Sequence, residues 1–302
     1  MNKEALGTLL AVLTAVVSGF AIPINKMFLV GLDPVVFTAV RALIIGVVFF
    51  IIASAQCKFD FKKFKQTQWS WLLLIGVIGG GLAFLLYFSG LQLTTSGRGA
   101  FLHKTLPLYV AVLAYVFLRE KFDLKQSLAL VAMLAGTAAI YYTQIAPGAM
   151  WANPGLGDVL IILGTILWAV EAIIARKVMK DGESNFVVVF GRMFFGALVL
   201  WGAVIVLGRW DLILELSAIQ LRNLFISTGI LTLYVLFWFG SLKFINVSKA
   251  AMILLLAPVI SLIAGIYWFG EPAPMLQLVG SGLILIGAAF VVKMKSELVS
   301  GV

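Results

Sequence analysis

The chain has 302 residues, 62% of them hydrophobic and only 12% charged, with a mean hydropathy of +1.10. Soluble domains carry about 45–50% apolar and about 25% charged residues, so this chain cannot cover itself with polar surface, and a water-soluble fold is excluded. The net charge of +9 does not point to nucleic acid, because most lysines and arginines sit just outside apolar runs, where they act as topology signals.

Ten apolar runs follow in chain order, at 5–26, 34–55, 69–91, 97–118, 124–145, 155–176, 185–207, 221–242, 247–269 and 274–293. A helix needs about 20 residues to cross the hydrocarbon, so ten of them take roughly 200 positions. None of the runs alternates with period two, which dismisses barrel strands. The first run starts after Lys3. It is longer than a signal peptide's core of about 15 residues and has a counterpart later in the chain, so it is read as a retained helix. Asp33-Pro34 before span two and Asn153-Pro154 before span six each place a side-chain acceptor ahead of a proline at the first helical position.

Lys58, Lys62, Lys63 and Lys65 cluster in the connection after span two. With a cytoplasmic N-terminus, fifteen Lys and Arg residues fall on that side, and four fall opposite: Lys26, Arg98, Arg209 and Arg222. The positive-inside rule then predicts a multi-pass protein of the cell membrane with both termini in the cytoplasm. The single Cys57 forms no internal disulfide, and no Cys/His grouping has metal-ligand spacing. No Gly-x-x-x-x-Gly-Lys-Ser/Thr run is present, so ATP is not expected to drive the protein. No cofactor is expected.

A shift of 151 residues lays the chain on itself, pairing Lys26 with Lys177, Arg41 with Arg192, Pro107 with Pro258, Glu120 with Glu271 and Gly136 with Gly287. Charged and proline matches at one constant offset mark a duplication, with halves at 1–146 and 152–297. Each half holds five spans, an odd number, so the second inserts upside down relative to the first. The expected fold is an all-α membrane protein of ten helices in two inverted repeats around a central cavity. Inverted repeats are a transporter signature, because two similar halves exchange conformations and move access from one side to the other.

The run Ser18 to Lys26 (SGFAIPINK), followed by Asp33-Pro34 and Arg41, resembles the opening of an EamA domain. Leu167-Trp168, Arg176-Lys177 and Arg192 repeat that pattern in the second half. Pro107 with Glu120, and Pro258 with Glu271, resemble the proline-centred fourth helix and acidic turn that close such a domain. Over essentially the whole chain, the sequence is similar to two tandem EamA domains of the drug/metabolite transporter superfamily. One departure is Pro23 in span one, where the second half has no proline. The resemblance implies a ten-helix carrier for small molecules and leaves the cargo open. It also implies that spans five and ten lie at the periphery or at a homodimer contact.

A charge at the bilayer centre costs about 2.5–3.5 kcal/mol, so the ionisable residues inside the spans require a reason. Arg41 and Arg192 are repeat equivalents, which favours a shared structural or gating role. His103, Lys104 and Glu171 have apolar counterparts at the same offset: Leu254, Leu255 and Phe20. A scaffold feature should appear in both halves, whereas a binding site can be lopsided because its cargo is. Trp168 lies three residues before Glu171, on the same helical face, and a carboxylate beside an aromatic face can hold an ammonium group. Glu171 has an alternative as the structural partner of Arg192, and Lys104 one as a snorkelling side chain. Tyr87 and Trp238 are repeat equivalents that would line the cavity or pack its wall. Gly76-x-x-x-Gly80 lets span three approach a neighbour closely. Pro107 and Pro258 are expected to kink spans four and nine.

These residues predict a secondary carrier, taken as an exporter, for small metabolites such as amino acids or amines. Glu171 and Trp168 would hold the ammonium end, and Lys104 with His103 the anionic end. Proton exchange at His103 and Glu171 would couple release to a gradient. A lipid-modifying enzyme or a non-transporting subunit is the alternative. The enzyme is disfavoured, because no hydrolase or protease motif and no aspartate dyad is found.

Overall fold

In the bilayer core every backbone polar group must be satisfied within the chain, and the apolar runs do so as helices. The structure, a computed structural model, describes residues 2–28, 31–56, 67–145 and 154–295. Cys57, the lysine cluster from Lys58 to Lys65 and the connection from Pro147 to Asn153 lie outside the described residues, as does the side chain of Lys26. Among the described residues ten helices are long and apolar enough to span a membrane. They are α1 (Lys3–Asn25), α2 (Pro34–Gln56), α3 (Trp69–Leu93), α4 (Ser96–Leu118), α5 (Leu124–Ile145), α6 (Leu156–Lys180), α7 (Asn185–Val206), α8 (Ala218–Phe244), α9 (Val247–Phe269) and α10 (Met275–Lys293).

Asp33 opens α2 as expected, its Oδ1 accepting from the N–H groups of Val35 and Val36 at 2.9 and 3.0 Å. At α6 the first turn is closed by Asp158 Oδ2, which accepts from the Gly155 N–H at 3.1 Å. The two prolines do something other than kink continuous helices. Span four is broken, with one helix at Ser96–His103 and the next at Leu106–Leu118. Span nine is interrupted at the equivalent place, with Val247–Ile253, a 3-10 turn at Leu254–Leu256, and Ala257–Phe269. Pro107 and Pro258 sit in the first turn of each second half-helix, where a missing N–H costs no helical bond. The break falls before the proline rather than at it.

The two halves interlock rather than sitting side by side. α3 and α4 pack on α6 of the other half, and α8 and α9 pack on α1. These two bundles are equivalent under the 151-residue shift. α2 pairs with α7, and α5 with α10. Lipid tails supply no hydrophobic drive between helices, so close approach of small residues does that work. Gly90 and Gly157 each face the other's carbonyl at 2.7 Å from a would-be Cβ, and Gly136 and Gly280 do the same at 2.5 Å. With an even number of spans, both chain ends emerge at one end of the molecule, here the terminal end.

Candidate functional site

Span three carries the element around which the intramembrane polar groups gather. Gly76–Leu82 (GVIGGGL) is π-helical, with ordinary helix on either side. Such a widened turn shifts backbone bonds out of register and is a common feature of functional sites. The carbonyl of Gly79 accepts from Trp168 Nε1 at 3.0 Å, which ties α3 to α6. A Cβ at Gly79 would overlap the Glu171 carboxyl, and one at Gly80 would overlap the carbonyl of Arg192. The glycines are therefore what bring α3 against both Glu171 and Arg192. Gly80 and Gly196 meet backbone to backbone, with a Cβ on Gly196 only 2.5 Å from Gly80.

Glu171 is 3% exposed, and its Oε1 accepts from Arg192 Nε at 2.8 Å. The ion pair with Arg192 was one of the two roles read for Glu171 from the sequence, and its Oε1 is engaged in that pair here. The guanidinium also lies 5.6 Å from the Phe84 ring centre and 5.9 Å from that of Phe239, and its Nη1 approaches Met193 Sδ at 3.2 Å. Tyr234 of α8 is in electrostatic reach of both partners. Phe84, Phe239 and Tyr234 were not found from sequence, since nothing distinguishes them from other aromatics in apolar helices. The π-turn had only the glycine run as a signal.

Next to that pair, with Phe84 touching both groups, three aromatic rings converge. His103 lies 4.8 Å from Trp168 and 5.5 Å from Tyr87, and Tyr87 lies 5.3 Å from Trp168. Phe84 closes the group at 5.1 Å from Trp168. All four side chains are half-buried. The sequence assigned Trp168 to an ammonium end with Glu171, His103 to an anionic end with Lys104, and Tyr87 to a cavity lining with Trp238; the structure groups Tyr87, His103 and Trp168 instead. Trp238 is not with them: it is buried in the core of α8, with no ring contact among the described residues.

Lys104 ends the first half-helix of span four, with its backbone N–H bonded to Ala100 and Phe101. Its side chain is 6% exposed, yet its ammonium meets no acceptor among the described residues. The neighbouring His103 has its Nδ1 buried and without a partner. Pro107, having no N–H, removes the helical donor for the His103 carbonyl. Arg41 is likewise buried and has no carboxylate partner among the described residues. Its guanidinium stacks 4.6 Å from the Phe37 ring centre, and its Nε is unpaired. Arg41 and Lys104 lie seven and eight residues into their spans from the end opposite the termini, about 10 and 12 Å deep at 1.5 Å per residue. Among the described residues, the buried charges of the spans' middle regions are thus one neutralised pair, Glu171 with Arg192, and two cations without counter-ions.

No group of three or more His, Cys, Asp or Glu side chains that would hold a metal occurs among the described residues.

Comparison with known proteins agrees with this architecture. A family model described as the EamA-like transporter family matches residues 5–142 and again residues 155–293. The chain is 25% identical over 225 residues to the uncharacterized transporter YyaM of Bacillus subtilis (strain 168), covering 71% of this chain and 70% of that protein. It is 22% identical over 284 residues to an uncharacterized transporter of Archaeoglobus fulgidus, covering 93% and 96% of the two chains. A solved structure, described only as the crystal structure of a protein, superposes with a TM-score of 0.78 over 97% of this chain and 99% of its own, at 18% identity. That likeness bears on the fold alone. With ten spans, two broken at equivalent places, and a family match in each half, the chain belongs to the EamA-like transporter family, as a multi-pass membrane protein.

Proposed function

We propose that the protein is a secondary carrier in the cell membrane that moves a small organic metabolite with an anionic group, such as an amino acid, by alternating access. One observation carries this reading. Lys104 and the Nδ1 of His103 are buried at the break in span four without partners among the described residues, beside the aromatic wall of Tyr87 and Trp168. Each uncompensated intramembrane charge costs about 2.5–3.5 kcal/mol, and a carboxylate cargo would offset that cost when bound. Arg41, equally unpaired, adds to the positive field.

The ammonium end of such a cargo has weaker support at Glu171, whose carboxylate is engaged by Arg192. An aromatic face, that of Tyr87 or Trp168, remains available to an amine by cation–π attraction. Export is the direction taken with this reading. A proton would couple at His103, the titratable group at the wall.

Lys104→Met tests the site, with the purified protein in proteoliposomes and counterflow of a labelled amino-acid and carboxylate panel. The expected result is loss of flux together with an unchanged or raised melting temperature, because a buried unpaired charge is removed. Undiminished flux, or a lowered melting temperature, would show that Lys104 serves the fold. Repeating the wild-type assay with and without an imposed proton gradient separates a coupled carrier from a passive one.

A further inference from the structure

The turns that end spans four and nine are the same turn. Arg119 has φ 54° and Gly270 has φ 63°, and the two positions are 151 residues apart. The next residue in each case is glutamate. The Glu120 N–H donates to the Ala114 carbonyl at 3.1 Å, and the Glu271 N–H to the equivalent Gly265 carbonyl at 3.3 Å. Both carboxylates therefore leave their helices from matching backbone geometry, one at each end of the molecule.

Their surroundings do not match. Glu120 is 3% exposed. Its Oε1 accepts from the Val247 N–H at 3.0 Å, and its Oε2 accepts from the Ser248 N–H at 3.2 Å and the Ser248 hydroxyl at 2.5 Å. Val247 and Ser248 open span nine, where the first N–H groups have no helical acceptor and the dipole favours a negative charge. Glu120 belongs to one repeat and span nine to the other, so these bonds hold the halves together. Around them the start of α9 packs on the second half of α4.

At the opposite end the equivalent contact is absent among the described residues. Glu271 is exposed and accepts no hydrogen bond there. The equivalents of Val247 and Ser248 are Ser96 and Gly97, which open span four. That start is capped locally, with the Thr95 hydroxyl accepting from the Arg98 N–H at 3.3 Å. The two span starts share one feature, a cation paired to a carboxylate of its own bundle. Arg98 pairs with Asp158, joining α4 to α6, and its repeat equivalent Lys249 pairs with Glu4, joining α9 to α1. Each broken span is thus tied at its start to its own bundle, whereas the contacts between bundles are one-sided: at the terminal end the Glu120 bonds are joined by Arg176 of α6, whose Nη1 donates to the Leu242 carbonyl of α8, and the repeat equivalent of Arg176, Asn25, accepts instead from the Ser227 hydroxyl.

We propose that Glu120 and Glu271 are alternating latches of the transport cycle. With Glu120 on the start of span nine, the terminal end is shut and the opposite end is free to open. In the other access state Glu271 caps Ser96 and Gly97 at the start of span four, and Glu120 releases Val247 and Ser248. The two bundles, α3, α4 and α6 against α1, α8 and α9, rock about the pairs that do not change. This inference rests on the carrier reading for its purpose, but its geometry is measurable without any cargo.

Nitroxide pairs at repeat-equivalent sites test it, in a Cys57→Ser background of the full chain. Leu124 with Lys243 reports on the terminal end, and Met275 with Gln92 on the other. Glu120→Gln turns an amide nitrogen toward N–H donors, and hydrogen bonds to a charged group are among the stronger ones. It is expected to raise the population with a longer Leu124–Lys243 distance about tenfold, with a matching shorter Met275–Gln92 population. Adding Glu271→Gln should remove that shortened population. Ser248→Ala, which deletes one bond of three, should move both distances the same way by a smaller factor and serves if Glu120→Gln does not fold. Lengthening at the terminal end without shortening at the other, or no change at either, would make Glu120 a static helix cap and overturn the proposal. A reciprocal shift in a protein that carries no solute would instead sink the carrier reading and leave the latch standing.

Discussion

Arg192 Nε, at 2.8 Å, is the one charged group that replaces the water Glu171 loses on entering the bilayer. Breaking a buried pair strands the surviving charge, at a cost of about 3–5 kcal/mol. Glu171→Gln is therefore expected to lower the melting temperature in detergent markedly, and Arg192→Gln to do the same. The double variant should recover much of the loss, since no charge is then left unpaired. Additive losses in the double variant would mean that the two side chains serve the fold independently. At this scale the sequence exposed the unusual residues, because an ionisable group in an apolar span is visible by composition alone. It did not decide between partners. Glu171 had two, an ammonium cargo or Arg192, and the choice depends on how α6 and α7 face one another across Gly79 and Gly80.

Spans four and nine place the same break at the same distance from their own starts, and in each the αL residue after the second half-helix aims the following glutamate. An αL conformation costs a residue with a Cβ about 1–2 kcal/mol, which Gly270 avoids and Arg119 bears. A Cβ at Gly270 meets nothing within 4 Å, so Gly270→Ala isolates the backbone cost. It should destabilise by about 1 kcal/mol, read as a modest fall in melting temperature. Arg119→Gly should raise stability by less than that, because glycine also frees the unfolded chain. The prolines were legible as helix disturbances. Their placement in the first turn of a new half-helix was not, because a proline reads alike in a kink and after a break. The π-helical turn at Gly76–Leu82 was likewise hidden, since three adjacent glycines permit many backbones and the packing against α7 selects one.

Orientation belongs to the whole molecule. The fifteen-to-four bias of Lys and Arg predicts a cytoplasmic terminal end, and two exposed connections test it. In a Cys57→Ser background, a cysteine at Glu215 is expected to react with an impermeant maleimide added to intact cells. One at Asp181 should react only after the membrane is permeabilised. Both residues are exposed in the structure, so failure to label would reflect the membrane and not burial. The reverse pattern would invert the topology and leave the inverted repeat intact.

The spans, their number, the duplication and the inverted insertion were all determined by the sequence alone. These follow from hydropathy and from a constant offset, and the bilayer enforces them on any chain with this pattern. Which helices pair was decided only by the tertiary structure. α3 and α4 pack on α6, and α8 and α9 on α1, exchanging partners between halves as no offset in the sequence reveals. That exchange sets Glu171 on Arg192 and closes Glu120 on span nine, while among the described residues Lys104 has no partner and Glu271 accepts no hydrogen bond. The physical reason is that contacts between distant spans depend on which helix faces which, and neither hydropathy nor the 151-residue offset encodes that. The two turns match along the chain, while the groups that face them do not: Ser248 meets Glu120 where the other half has Gly97.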